Sequence, residues 1–200
     1  MTVQHIVLDL GGVLIELLWR RNILPLFGRQ LSLAEAYALW SASAAVQAHE
    51  SGRLDLQQFV VAWCAERGMR NGEAVQAAFL SLLGDLKPDA EAMLDTLAER
   101  FTLSMLSNIS RAHIGCIAQH AALERCFFRH FFSCDIGKMK PSAEVFDLLL
   151  RELQSDPRQV AFFDDTAVNV DAALAAGLHA WRVDSPREIM RIIASEEIFQ

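Results

Sequence analysis

At 200 residues the chain has room for one large domain or two modest ones, and its 52% hydrophobic content supports a sizeable core and excludes disorder. A net charge of −7 and a pI near 5.3 argue against a general binder of nucleic acid or of anionic membranes. No apolar run approaches the roughly 20 residues of a membrane span, and the first strand begins too early for a signal peptide, so a cytoplasmic location is expected.

The chain opens with IVLDLGGVLIEL at residues 6–17. A strand over 5–10 carries Asp9 near its end, and Gly11 and Gly12 follow at once. Two readings fit: an ordinary strand-to-loop turn, or a site where bare backbone approaches a ligand beside a reactive carboxylate. Residues 16 to about 86 then look purely helical. LSLAEAYALW has Ser32 with Glu35 three residues on, and LDLQQFVVAWCAERG has Asp55 with Gln58 and stops at Gly68. Both are capping-box spacings, the second closed by a helix-terminating glycine.

From residue 87 the pattern alternates. Short apolar strands are predicted at 101–107 (FTLSMLS), 130–134 (HFFSC), 160–165 (VAFFDD) and 179–183 (HAWRV), with helical stretches between them, one ending at Gly177. Continuous apolar strands separated by helices predict an α/β fold, a doubly wound parallel sheet covered on both faces. The expected division is a core over 1–15 and 87–200 with a small helical cap, 16–86, inserted after strand one. Cys64, Cys116, Cys126 and Cys134 stand singly among apolar neighbours; without CxxC spacing they read as buried, reduced thiols.

In sheets of this kind ligands bind beyond the carboxyl ends of the strands. Strand one delivers Asp9 there, the next strand Ser107 and Asn108, the segment GKMKPS Lys138 and Lys140, and VAFFDD the adjacent pair Asp164 and Asp165, followed by Asn169. Singly, each has an ordinary explanation as a turn, a cap or a solvated charge. Two neighbouring carboxylates after an apolar run repel each other unless a cation sits with them. Together the set meets the needs of phosphoryl transfer, which are positioning and charge neutralisation. A carboxylate attacks phosphorus, water hydrolyses the aspartyl phosphate, and Mg²⁺ held by one or two carboxylates brings the anions together.

At these residues the chain resembles the haloacid dehalogenase superfamily of phosphatases. Its four motifs stand in order as DLGGVL, LSN, Lys140 of GKMKP, and FFDDTAVN. Within the superfamily the chain is similar to bacterial sugar-phosphate phosphatases of the α-glucose-1-phosphate phosphatase type and to the phosphatase domain of soluble epoxide hydrolases. The resemblance implies Asp9 as nucleophile and metal ligand, the Gly11 carbonyl as a backbone ligand, and Asp165 as the more direct ligand of its pair. Asp164 and Asn169 support the site, and Ser107, Asn108 and Lys140 bind phosphate. A small phosphorylated metabolite, a sugar phosphate, is the implied substrate.

Family phosphatases usually carry a second aspartate two residues after the nucleophile as general acid and base; here that position is Gly11. Water or a substrate hydroxyl is then left to move the proton. The competing readings are a catalytically weak phospho-ligand binder, a metal-free haloacid dehalogenase, and a signalling receiver domain. The last places its acidic pair at the first strand rather than the fourth. In the cap, His49, Glu50, Arg20 and Arg21 read as solvated helix ends, with a pocket-facing position as the alternative.

Overall fold

The structure, a computed structural model, describes residues 2–27 and 31–200. In chain order its strands are β1 (His5–Leu8), β2 (Ile15–Leu17), β3 (Leu83–Leu86), β4 (Thr102–Ser107), β5 (Phe127–Phe132), β6 (Val160–Asp164) and β7 (His179–Arg182). Five of them make one parallel sheet in the order β5–β4–β1–β6–β7. Alternating side chains serve two apolar layers. Ile6, Leu8, Ala161 and Phe163 meet Met93 and Leu94 of α5 (Ala90–Ala98) and Ile189 of α11 (Pro186–Ser195) on one face. Val7, Leu106 and Phe162 meet Val145, Phe146 and Leu149 of α9 (Ala143–Leu153) on the other, with Ala173 of α10 (Ala167–Ala175). Each fully buried Leu, Ile or Phe here is worth about 1.5–3 kcal/mol. The doubly wound expectation holds, and β1 sits at the switch point, hydrogen-bonded to β4 on one side and β6 on the other.

Between β2 and β3 lie α1 (Leu33–Ser41), α2 (Ala44–Glu50), α3 (Leu56–Arg67) and α4 (Gly72–Leu80). Both expected capping boxes form: Glu35 N donates to Ser32 Oγ at 3.2 Å and Gln58 N to Asp55 Oδ1 at 2.8 Å. Gly68 closes α3 in the left-handed conformation, φ 65°. These helices bury their own aromatic cluster, Trp40, Phe59, Trp63 and Phe79. Among the described residues no helix is long and apolar enough to cross a membrane.

Several expectations need correction. Residues 16–86 are not purely helical, because β2 and β3 form an antiparallel ribbon at the two ends of the segment, pairing Leu17 with Leu83 and Ile15 with Leu86. Strands of three and four residues are too short to show a period. The strand expected over 130–134 runs instead over Phe127–Phe132, and Ser133 already opens the short helix α8 (Ser133–Ile136). The intervening chain holds α6 (Arg111–Ile117) and α7 (Ala121–Arg125). Of the cysteines only Cys134 is buried; the other three are half-buried. His49 is no solvated end: it is buried and stacks on Phe59 at 4.6 Å between centroids.

Candidate active site

The carboxyl ends of β1 and β6 bring Asp9, Asp164 and Asp165 together, with ligand-capable oxygens of all three within 4.8 Å of one another. Lys140 reaches them from the loop after α8. Its side chain is only 2% exposed, and its ammonium lies 2.8 Å from Asp9 Oδ1 and 2.6 Å from Asp164 Oδ2. Burial alone would lower this ammonium's pKa, but Asp164 and Asp9 outweigh it and the net direction is up. Lys140 is therefore a permanent cation. For Asp9 burial dominates and raises the pKa; Lys140 opposes the rise while Asp164 and Asp165 add to it. Asp165 is raised too, by burial and then by Asp164.

Asp164 and Asp165 differ in what remains free. Asp164 is fully buried and accepts from Thr166 N at 2.8 Å, from Asn169 Nδ2 at 3.0 and 3.1 Å, and from Lys140. Its lone pairs are occupied. Asp165 accepts from the Thr166 hydroxyl at 3.0 Å through Oδ1 and faces the same cavity as Asp9 and Gly11, whose lining does not include Asp164. Asn169 thus orients Asp164 rather than facing a ligand through its amide nitrogen.

Gly12 makes the approach to Asp165 possible. Its φ is +82°, and a Cβ there would fall 2.1 Å from Asp165 Oδ2, which no side chain tolerates. Lys87, with no signal in the sequence, donates to the Gly12 carbonyl and to the Asp184 carbonyl at 2.6 Å, fixing this loop. Ser107, buried at the end of β4, and Asn108 both line the cavity. The Asn108 side chain is already engaged: Nδ2 donates to the Lys140 carbonyl at 2.9 Å and Oδ1 accepts from Lys140 N at 2.9 Å. It clamps the main chain that carries the lysine. Lys138 also lines the cavity, but its ammonium is spent on an ion pair with Glu144.

The cavity, about 690 Å³, is roofed by the helical segment. Leu17, Trp19, Tyr37, Trp40, Val46 and Leu82 supply its apolar wall. Of the four polar cap residues read from the sequence, Glu50 lines this cavity and Arg20 and Arg21 are exposed outside it. Its carboxyl is pushed up to about 7 by burial, with Trp40 hydrogen-bonding against the rise and Asp9 adding to it. Three clustered carboxylates against one ammonium leave an excess of negative charge. Open oxygens of Asp9 and Asp165 beside the Gly11 backbone form a hard donor set that suits Mg²⁺.

Residues 3–177 match the haloacid dehalogenase-like hydrolases. The chain belongs to that family. Its curated relatives include the sesquiterpene phosphatase astK of Aspergillus oryzae, 24% identical over 180 residues and 88% of each chain. Acyl-CoA dehydrogenase family member 10 of Mus musculus is 34% identical over 59 residues, 30% of this chain, which span only 6% of the mouse protein. Among solved structures, a haloacid dehalogenase family enzyme of Bacteroides thetaiotaomicron, in complex with magnesium and inorganic phosphate, superposes with a TM-score of 0.73. That pair is 22% identical and covers 90% of this chain and 93% of the other. For this hydrolase the four-motif resemblance and the observed sheet therefore agree.

Proposed function

We propose that this hydrolase is a Mg²⁺-dependent phosphatase acting on a small phosphorylated metabolite through an aspartyl phosphate on Asp9. The observation that carries the reading is the pairing of two cavity-facing carboxylates, Asp9 and Asp165, with the buried Lys140 ammonium. Asp9, Asp165 and the Gly11 carbonyl would hold the metal, which would supply charge neutralisation on the phosphoryl oxygens. Lys140 opposes the burial that raises the Asp9 pKa, and Asn108 and Asn169 hold Lys140 and Asp164 in place. Ser107 and Lys140 face the phosphoryl group. An Asp9 oxygen then attacks phosphorus as the bond to the leaving oxygen breaks, and water later releases phosphate from Asp9. The phosphatase named among the relatives and the magnesium–phosphate complex of the Bacteroides enzyme support this assignment.

Residues 16–86 serve as the cap that selects the substrate. A sugar phosphate, the form expected from the sequence, offers a ring face to Trp19 and Trp40 and hydroxyls to Gln47 and Arg53. The aromatic and aliphatic side chains that the helical segment and its flanking strands bring to the wall, Leu17, Trp19, Tyr37, Trp40, Val46 and Leu82, favour a second reading, a monoester of a less polar alcohol. A cytoplasmic site of action accords with four cysteines that form no disulfide. The test is a panel of sugar, alkyl and aryl phosphates assayed with Mg²⁺ and with EDTA. Chelator-sensitive phosphate release, abolished by Asp9→Asn, is expected. Chelator-insensitive halide release from 2-haloacids would replace this reading with the dehalogenase one.

A further inference from the structure

The proton chemistry of this site has no owner in the loop after β1, because Gly11 stands where a carboxyl is expected. The cavity wall holds few other titratable groups, and most are committed. His113, on α6, points Nε2 at the Phe79 carbonyl at 2.8 Å, so that nitrogen donates and carries the ring's proton. Lys138 and Glu144 pair with each other, and Arg53 donates to Ser51 Oγ at 3.0 Å. Asp9 and Asp165 are assigned to phosphorus and metal. Glu50 is different: among the described residues it has no basic partner, and its carboxyl meets the Trp40 indole inside the cavity.

The backbone that carries Glu50 is fixed to the core. Ser133 Oγ, at the start of α8, donates to the Glu50 carbonyl at 2.5 Å. Two residues on, a Cβ at Gly52 would fall 2.2 Å from the Cys134 carbonyl oxygen, and Gly52 has φ +76°. The turn after α2 is thus pressed against the core, and it sets where the carboxyl stands relative to Asp9. The Asp9 charge is felt at Glu50, and the charge of Glu50 is felt in turn at Tyr37. These two groups and the Trp40 indole are among the neighbours of the carboxyl. Its pKa of about 7 lets it hold or release a proton near neutrality, as an acid–base group must.

We propose that Glu50, delivered by the cap, is the acid–base residue of this active site and takes the place of the carboxyl missing at position 11. The assignment rests on the phosphatase reading. In the first step an Asp9 oxygen bonds to phosphorus, the bond from phosphorus to the leaving oxygen breaks, and the Glu50 acid gives that oxygen its proton. In the second step a water oxygen bonds to phosphorus, the phosphorus–Asp9 bond breaks, and the Glu50 carboxylate takes the water's proton. Glu50 ends protonated and Asp9 ionised, as at the start.

Glu50→Gln keeps the shape and neutrality of the acid but cannot transfer its proton. Turnover of alkyl phosphates in Mg²⁺ should fall about 10²–10⁴-fold, the usual worth of a positioned acid–base group. An aryl phosphate needs no acid in the first step. It should give a burst of phenol stoichiometric with enzyme, then slow turnover, with acid-stable label accumulating on Asp9. Adding Gly11→Asp to Glu50→Gln should restore part of the alkyl phosphate activity. The nearest atom to a Cβ added at Gly11 is Cδ2 of the flexible Leu17 side chain, at 3.0 Å. If Glu50→Gln gives no burst and keeps the wild-type dependence on leaving group, or changes KM alone, Glu50 is a binding group and the proposal is overturned while the phosphatase stands. If the wild type hydrolyses no phosphate monoester, both readings fall together.

Discussion

Lys140→Met tests what the buried ammonium contributes. Methionine keeps most of the apolar stem of a residue only 4% exposed and removes the charge from between Asp9 and Asp164. Breaking one side of a buried ion pair costs about 3–5 kcal/mol, because the remaining charge is uncompensated. In a chain of this size each kcal/mol is worth about 2–4 °C, so the melting temperature should fall by about 6–20 °C in chelator. The pH dependence has a definite sign. The raised pKa of Lys140 means that its stabilisation is fully present below the unfolded value and is lost only as pH rises through the higher folded value. Asp9, left without it, has a folded pKa further above its unfolded one. It opposes folding at neutral pH and ceases to do so as it protonates. The deficit of the variant should therefore be large at pH 8 and shrink toward pH 5, and Mg²⁺ should recover part of it. Thermal unfolding of both proteins across that range, with EDTA and with Mg²⁺, is the assay. A variant as stable as wild type in chelator at pH 8, or a deficit that grows toward acid, refutes the reasoning.

Asp165→Asn should abolish the Mg²⁺-dependent rise in melting temperature and Mg²⁺ heat in calorimetry while the fold survives, since the residue is half-exposed to the cavity. Gly12→Ala forces a Cβ onto the Asp165 carboxylate at a positive φ; it should lose metal binding and, with strain of about 1–3 kcal/mol, melt several degrees lower. Asn108→Ala frees the Lys140 main chain from both 2.9 Å bonds and should lower kcat more than it lowers phosphate affinity. Lys138→Ala breaks only a partly exposed pair and should leave steady-state turnover close to wild type. Cys134, buried with its thiol pushed up to about 11 by burial and then by Asp135, should resist iodoacetamide at pH 8 in the native protein and react after unfolding.

The parts of the candidate site that could be read from the sequence are each local. Asp9 at a strand end, two glycines after it, and Asp164–Asp165 after VAFF are statements about adjacent residues, and the sheet then gathers them. The capping boxes at Ser32 and Asp55 are equally local. What was hidden depends on distant chain. Glu50 read as a solvated helix end because nothing near it announces that Ser133 and Cys134, over eighty residues on, hold its turn against the core. Lys87 is one lysine among others until its ammonium meets the Gly12 carbonyl. Asn108 looked like a phosphate ligand by position, but its amide is spent on Lys140, an engagement visible only in three dimensions.

The ribbon that pairs Leu17 with Leu83 has a further meaning for how such a protein can change. The chain leaves and rejoins the core at this ribbon, with the two ends of the inserted segment held side by side by backbone hydrogen bonds. A chain segment inserted there has its closure entropy already met by the ribbon, and that cost grows only slowly with the segment's length. Replacing residues 18–82 with a short turn should leave a folded core with an uncovered catalytic rim. Grafting a different helical segment onto the same two strands should change which alcohol is accepted without touching Asp9, Lys140 or Asp165. The graft would also remove Glu50. With the acid–base role proposed for Glu50, a new roof would have to bring its own proton donor, and specificity and acid–base chemistry would be inherited as one exchangeable part.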